Sequence, residues 1–119
     1  MPHCVLIVDD NLQLRGMIRD QVEEAGLEVC GEASDGVDAI EKARRLKPDL
    51  IILDLSMPRM NGIDAAKELA VICPGVPILL YTMHADVLRG RRELPFGVSK
   101  VVAKNENLVA SVLDSLALA

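Results

Sequence analysis

Five residues of this chain carry side chains that could act together on a phosphoryl group: Asp9, Asp10, Asp54, Thr82 and Lys104. Each stands directly after an apolar run, or one residue beyond it. Carboxylates gathered at one place repel one another, and without a counter-charge at least one of them should bind its proton more tightly. A hard divalent cation resolves that conflict. Magnesium takes oxygen ligands from one or two carboxylates, keeps several waters and leaves positions for phosphoryl oxygens. A carboxylate can itself be the nucleophile that forms an acyl phosphate. The remaining demands of phosphoryl transfer are positioning and charge stabilisation. Lys104 can hold one phosphoryl oxygen as a point charge, and Thr82 can donate a hydrogen bond to another.

Strands and helices must bring these residues together. Cys4-Val5-Leu6-Ile7-Val8 and Leu50-Ile51-Ile52-Leu53 are continuous apolar runs, the mark of strands buried on both faces. Pro77 to Tyr81 and Val98 to Ala103 predict two more strands, and the alternation in Glu28 to Ala33 predicts an edge strand. Helical spacing connects them. Leu12, Ile18, Val22 and Ala25 follow Asn11 as N-cap, with Gly26 as the stop; Val37, Ile40, Ala43 and Leu46 follow Asp35-Gly36, with Pro48 closing. Asn61-Gly62 opens a helix with Ile63, Ala66, Leu69 and Ala70, and Asn107 to Leu118 forms the last helix. Alternating strands and helices predict an α/β fold, a parallel sheet with helices on both faces. Ligands of such a sheet bind outside the carboxyl ends of the strands, where Asp9, Asp10, Asp54, Thr82 and Lys104 all fall. Taken singly, an Asp after a strand is most often a cap or turn residue. Four strands ending in reactive groups at one edge favour function for the set.

With 119 residues, of which 50% are hydrophobic, the chain suits one domain with an apolar core. A net charge of -5 and only 2% aromatic residues argue against direct nucleic-acid binding. No run approaches the roughly 18 apolar residues of a membrane span, and Asp9-Asp10 interrupts the N-terminal run in a way no signal peptide would. Cys4, Cys30 and Cys73 match no zinc spacing, and Cys4 and Cys30 read as small core residues. The expectation is a reduced, soluble, cytoplasmic domain.

The whole chain resembles the receiver domains of two-component response regulators. The matching pieces are Asp9-Asp10, Asp54 with Met57-Pro58 and Asn61-Gly62, Thr82, and Lys104, in order and at family-like separations. The resemblance implies a flavodoxin-like, doubly wound, five-stranded parallel sheet of order 2-1-3-4-5, with residues 1–119 as one receiver domain. It implies a phosphorylation-activated switch, not an enzyme, with Asp54 as phosphoacceptor for a histidine kinase, a phosphotransfer protein or a small acyl phosphate. Asp10, Asp54 and the backbone carbonyl of Ser56 would ligate Mg2+ (or Mn2+ as substitute), with Asp9 acting largely through water. Thr82 and Lys104 would relay the change to a face made of the fourth helix, fifth strand and fifth helix, about His84 to Ala119. An output domain or target protein would dock there, and a phosphorylation-dependent homodimer would form there. Ser56 and His84 occupy positions that influence the lifetime of the phosphoryl group in this family.

Three departures stand out. Val101 occupies a position where many members carry Tyr or Phe, and Asn105 follows Lys104 where proline is common, which makes a cis bond improbable at about 3 kcal/mol for a non-proline peptide. The fourth helix, around His84 to Pro95, contains Gly90 and should be short or mobile, with Arg89, Arg91 and Arg92 marking either a solvated basic face or a partner surface. Two rivals remain. A degenerate receiver would serve as a phosphorylation-independent interaction module. A magnesium-dependent phosphohydrolase would normally carry a second Asp where Ser56 stands.

Overall fold

The computed structural model describes residues 3–55, 57, 60–83, 85–90 and 93–117. Five parallel strands form one sheet: β1 (Cys4–Val8), β2 (Glu28–Ala33), β3 (Leu50–Asp54), β4 (Ile78–Thr82) and β5 (Lys100–Ala103). Their order is β2-β1-β3-β4-β5, as expected. The connecting helices are α1 (Leu12–Glu24), α2 (Gly36–Leu46), α3 (Gly62–Ile72), α4 (Ala85–Arg89) and α5 (Leu108–Ser115). None of the described helices is long and apolar enough to cross a membrane.

The apolar strands are continuous because both faces of the sheet are covered. Leu6 and Val8 on β1, with Ile51 and Leu53 on β3, pack with α2 and α3 through Ala39, Ala43, Ala66 and Leu69. The alternate residues Val5, Ile7, Leu50 and Ile52 pack with α1 and α5 through Ile18, Val22, Leu108 and Val112. Side chains alternate across a strand, so one uninterrupted apolar run serves two cores. Leu12 and Val37, expected on inner faces, are exposed instead. Both lie in the first turn of their helices, where the helical stripe has not yet reached the sheet.

Four helices begin on short polar caps. Asn11, Asp35, Asn61 and Asn107 accept the backbone N–H groups of Leu14, Asp38, Asp64 and Ala110 at 2.9–3.1 Å. Such caps satisfy donors that the first turn leaves unpaired. The chain turns through Gly26 at φ 85°, a conformation glycine adopts without steric cost. β5 begins later than expected, at Lys100, and α5 ends earlier, at Ser115. No peptide bond among the described residues is cis.

The reduced state expected of the cysteines is not what the structure holds. Cys4 and Cys30 are bonded to each other as a disulfide, with Cα atoms 5.4 Å apart, while Cys73 is a free, buried thiol. The spacing of 26 residues hid this pairing, which depends on β1 lying beside β2. Arg89 is exposed, in keeping with a solvated basic face, and it is also ion-paired. α4 is short, as expected, and Arg89 at its end donates to Glu106 (3.0 Å from Nη1) and to the Val101 carbonyl (2.7 Å). Arg91, Arg92 and His84 lie outside the described residues.

The edge strand β2 is tied to α1 by charge. Glu32 accepts from Arg15 Nε at 2.8 Å and from Arg19 Nε at 2.7 Å, and Arg15 Nη1 also donates to the Asp9 carbonyl at 2.8 Å. Burial alone would raise Glu32, but the hydrogen bonds and charges of Arg19 and Arg15 outweigh it and hold the carboxyl below its ordinary value. A carboxylate lowered in the folded state stabilises the fold above its unfolded pKa, and loses that contribution as pH falls through the folded value. Replacing Glu32 by Gln should therefore lower stability at pH 7 by about 1 kcal/mol, a figure reduced for solvent screening. Urea melts should show the gap closing below about pH 4.

Candidate functional site

The sheet's carboxyl edge gathers the expected groups. Asp9 and Asp10 follow β1, Asp54 ends β3, Thr82 ends β4 and Lys104 follows β5. β1 and β3 are neighbours and β4 and β5 complete the order, so the four strand ends lie in sequence along one edge. Carboxylate oxygens of Asp9, Asp10 and Asp54 lie within 4.8 Å of one another. Lys104 Nζ stands 3.4 Å from Asp54 Oδ1 and 3.8 Å from Asp9 Oδ2. Thr82 is 1% exposed, Asp9 2% and Asp54 7%, whereas Asp10 faces solvent. Ser56, expected to offer its carbonyl, lies outside the described residues.

Asp9 is held by its backbone and by half of its side chain. Its N–H donates to Ala33 O at 3.0 Å, its carbonyl receives Arg15, and Oδ1 accepts the Asn11 N–H at 2.8 Å. Oδ2 is buried with no hydrogen-bond partner among the described residues. A buried carboxylate oxygen left without a partner is costly unless a charge meets it. Burial raises the Asp9 pKa, and the charges of Asp54 and Asp10 add to it, against the Asn11 N–H and Lys104. Burial likewise raises Asp54, with Lys104 opposing and Asp10 adding. One ammonium at these distances undercompensates the anions. Three oxygen donors around an unpartnered carboxylate oxygen, open to solvent at Asp10, fit a hard divalent cation.

Two residues have roles at the site that only the structure shows. Gly62, at the first turn of α3, lies so close to the end of β3 that an added Cβ would sit 2.3 Å from the Asp54 carbonyl oxygen and 2.8 Å from Leu55 Cα. Its N–H donates to the Leu55 carbonyl at 2.8 Å. The Asn61-Gly62 pair marked a helix start in the sequence, but the close approach behind Asp54 is visible only in three dimensions. Tyr81 is the second. Its hydroxyl donates to the Lys104 carbonyl at 3.0 Å, and Lys104 Nζ lies 5.8 Å from its ring centroid.

Gly62→Ala should destabilise by roughly 1–3 kcal/mol, because backbone rather than a movable side chain must yield, and urea melts would measure it. Asp9→Asn and Asp54→Asn should act oppositely. A carboxylate whose folded pKa is raised destabilises the fold above that value, and the penalty fades as pH falls toward the unfolded value. In metal-free buffer at pH 7.5 both variants should melt above the parent chain. Thermal melts should show the difference shrinking toward about pH 4.

Residues 5–113 match the response regulator receiver domain family. The chain is 50% identical over 76 residues to the chemotaxis protein CheY of Thermotoga maritima, covering 64% of this chain and 63% of that protein. It is 36% identical over 127 aligned residues to the transcriptional regulatory protein PdtaR of Mycobacterium tuberculosis, covering 99% of this chain and 62% of that protein. These matches thus span less than two thirds of either relative. Among solved structures, chemotaxis protein CheY4 of Vibrio cholerae superposes with a TM-score of 0.79 at 30% identity, covering 98% of both chains. A CheY-like receiver domain protein of Methanospirillum hungatei reaches a TM-score of 0.88 at 21% identity, covering 98% of this chain and 95% of that one, a likeness of fold. Sheet order, family match and the acidic edge agree, and the chain belongs to the receiver domains of two-component response regulators.

Proposed function

We propose that residues 1–119 act as one phosphorylation-operated switch, with Asp54 as the phosphoacceptor. The observation that carries this reading is the buried Asp9 Oδ2, without a hydrogen-bond partner among the described residues, beside Asp54 and Lys104. An Asp54 carboxylate oxygen attacks phosphorus in the phosphohistidine of a histidine kinase or phosphotransfer protein, or in a small acyl phosphate. The new P–O bond makes an acyl phosphate, and the broken P–N or P–O bond leaves its electron pair on imidazole or carboxylate. Lys104 pairs with one phosphoryl oxygen, and the Thr82 hydroxyl donates to another. Asp10, Asp54 and the Ser56 carbonyl would hold Mg2+, or Mn2+ in its place, with Asp9 acting through water. When bound, that ion offsets the crowded carboxylates and the charge of the phosphoryl oxygens.

The domain would work in the cytoplasm as a signalling element and not as an enzyme on other molecules. Its partners would be a histidine kinase or phosphotransfer protein on the input side. On the output side, an attached domain or target protein would meet the α4–β5–α5 face, where phosphorylation would also favour a homodimer. The likeness to PdtaR, named as a transcriptional regulatory protein and matched over 62% of its length, supports the first kind of output. Direct nucleic-acid or membrane binding by this domain is not part of the reading.

Intact mass after incubation with acetyl phosphate and Mg2+ tests it. The parent chain should gain one phosphoryl group, and Asp54→Asn should gain none. The gain should disappear on chelating the metal. An unlabelled parent chain, even with its cognate kinase, would instead favour a phosphorylation-independent interaction module. Sustained turnover of added phosphate esters would favour a phosphohydrolase.

A further inference from the structure

We propose that Cys4 and Cys30 form a reversible dithiol–disulfide couple that locks the edge strand β2 onto β1. The bond lies where the ladder between these strands is interrupted. Val5 pairs with Val29 and Leu6 with Gly31, which leaves Cys30 as the extra residue of a bulge. A bulge weakens the local pairing of an edge strand, and here the S–S bond spans the gap. Its loop encloses all of α1, so it joins residues that the unfolded or locally opened chain would let diffuse apart. Both cysteines are half-buried and accessible to small thiols. Cys73 is buried against α2, with burial pushing its thiol up, and does not compete for exchange.

One cysteine thiolate attacks a low-molecular-weight disulfide such as oxidised glutathione, releasing one glutathione thiolate and leaving a mixed disulfide. The second cysteine then displaces the second glutathione. The protein gives up two electrons and two protons, and the glutathione disulfide is reduced to two thiols. A glutathione-rich compartment favours the open dithiol, so the closed form would report oxidising conditions. From Cys30 the chain passes through Gly31 to Glu32, which holds Arg15 and through it the Asp9 carbonyl; Asp9 N–H itself bonds Ala33. The couple therefore acts on the strand that supports Asp9. It stands independently of phosphorylation at Asp54.

The test uses the whole chain in mixtures of reduced and oxidised glutathione spanning several decades of ratio. Samples are alkylated under denaturing conditions and weighed intact. A reversible passage between three alkyl groups and one is expected, with Cys4→Ser and Cys30→Ser unable to lose two groups together. Amide exchange should then be at least tenfold slower in the oxidised form over Val29–Ala33 and at Asp9, and by a larger factor there than at Ile52 and Leu79, which report unfolding of the whole sheet. Asp54→Asn should behave identically. Three alkyl groups at every ratio, one at every ratio, or equal exchange in both forms would each overturn the proposal.

Discussion

Two nearly buried carboxylates share one ammonium at the carboxyl edge of the sheet, and the design of the molecule depends on that shortage of positive charge. Lys104 stands at 3.4 and 3.8 Å from Asp54 and Asp9, beyond the reach of a tight charge-assisted hydrogen bond. Removing one partner of a fully matched buried pair destabilises a protein strongly. An undermatched anion pair behaves in the opposite sense: neutralising a charge or bringing a cation relieves the fold. The edge is thus poised to respond to a change in charge, while the apolar strands beneath it supply the stability that tolerates it.

Such a site needs rigid backbone behind it. Asp9 is fixed through its N–H, its carbonyl and Oδ1, leaving Oδ2 with the distant Lys104 charge and no hydrogen-bond partner among the described residues. Asp54 is fixed from behind, where Gly62 brings the start of α3 against its carbonyl. Both supports come from the elements that follow or flank the strand, Arg15 from α1 and Gly62 from α3. The βα unit therefore presents the carboxylate and also restrains it.

The sheet, its order and the residues at its edge were legible because continuous apolar runs, polar caps and helical spacing are local signals. Four strands each ending in a reactive group made a pattern that needed no coordinates. What escaped the sequence depended on strand pairing or on approach distance. Cys4 and Cys30 looked like two core residues because nothing local states that β1 and β2 meet with a bulge at Cys30. Gly62 read only as the start of a helix, because the atom it avoids belongs to Asp54. Arg89 is exposed, as a basic surface residue should be, but its ion pair was hidden because its acceptors, Glu106 and the Val101 carbonyl, come from a different part of the chain.

Val101 stands on β5 where many receiver domains carry an aromatic residue. An aromatic ring on β5 is one way to connect the site with α4, and the chain has none there. In its place, two polar ties converge on the end of β5. Tyr81 on β4 holds the Lys104 carbonyl. Arg89 at the end of α4 holds the Val101 carbonyl and Glu106, and Glu106 in turn accepts the Ala103 N–H at 2.8 Å. The hydrogen bond from Arg89, with that from Ala103, lowers the Glu106 carboxyl to about 2, so it remains charged at any physiological pH. Protonation is therefore not what opens this clasp. It is solvent-exposed, which makes it sensitive to salt and weak enough to yield. The end of β5 is thus tied to β4 through Tyr81 and to α4 through Arg89, in both cases by way of backbone carbonyls.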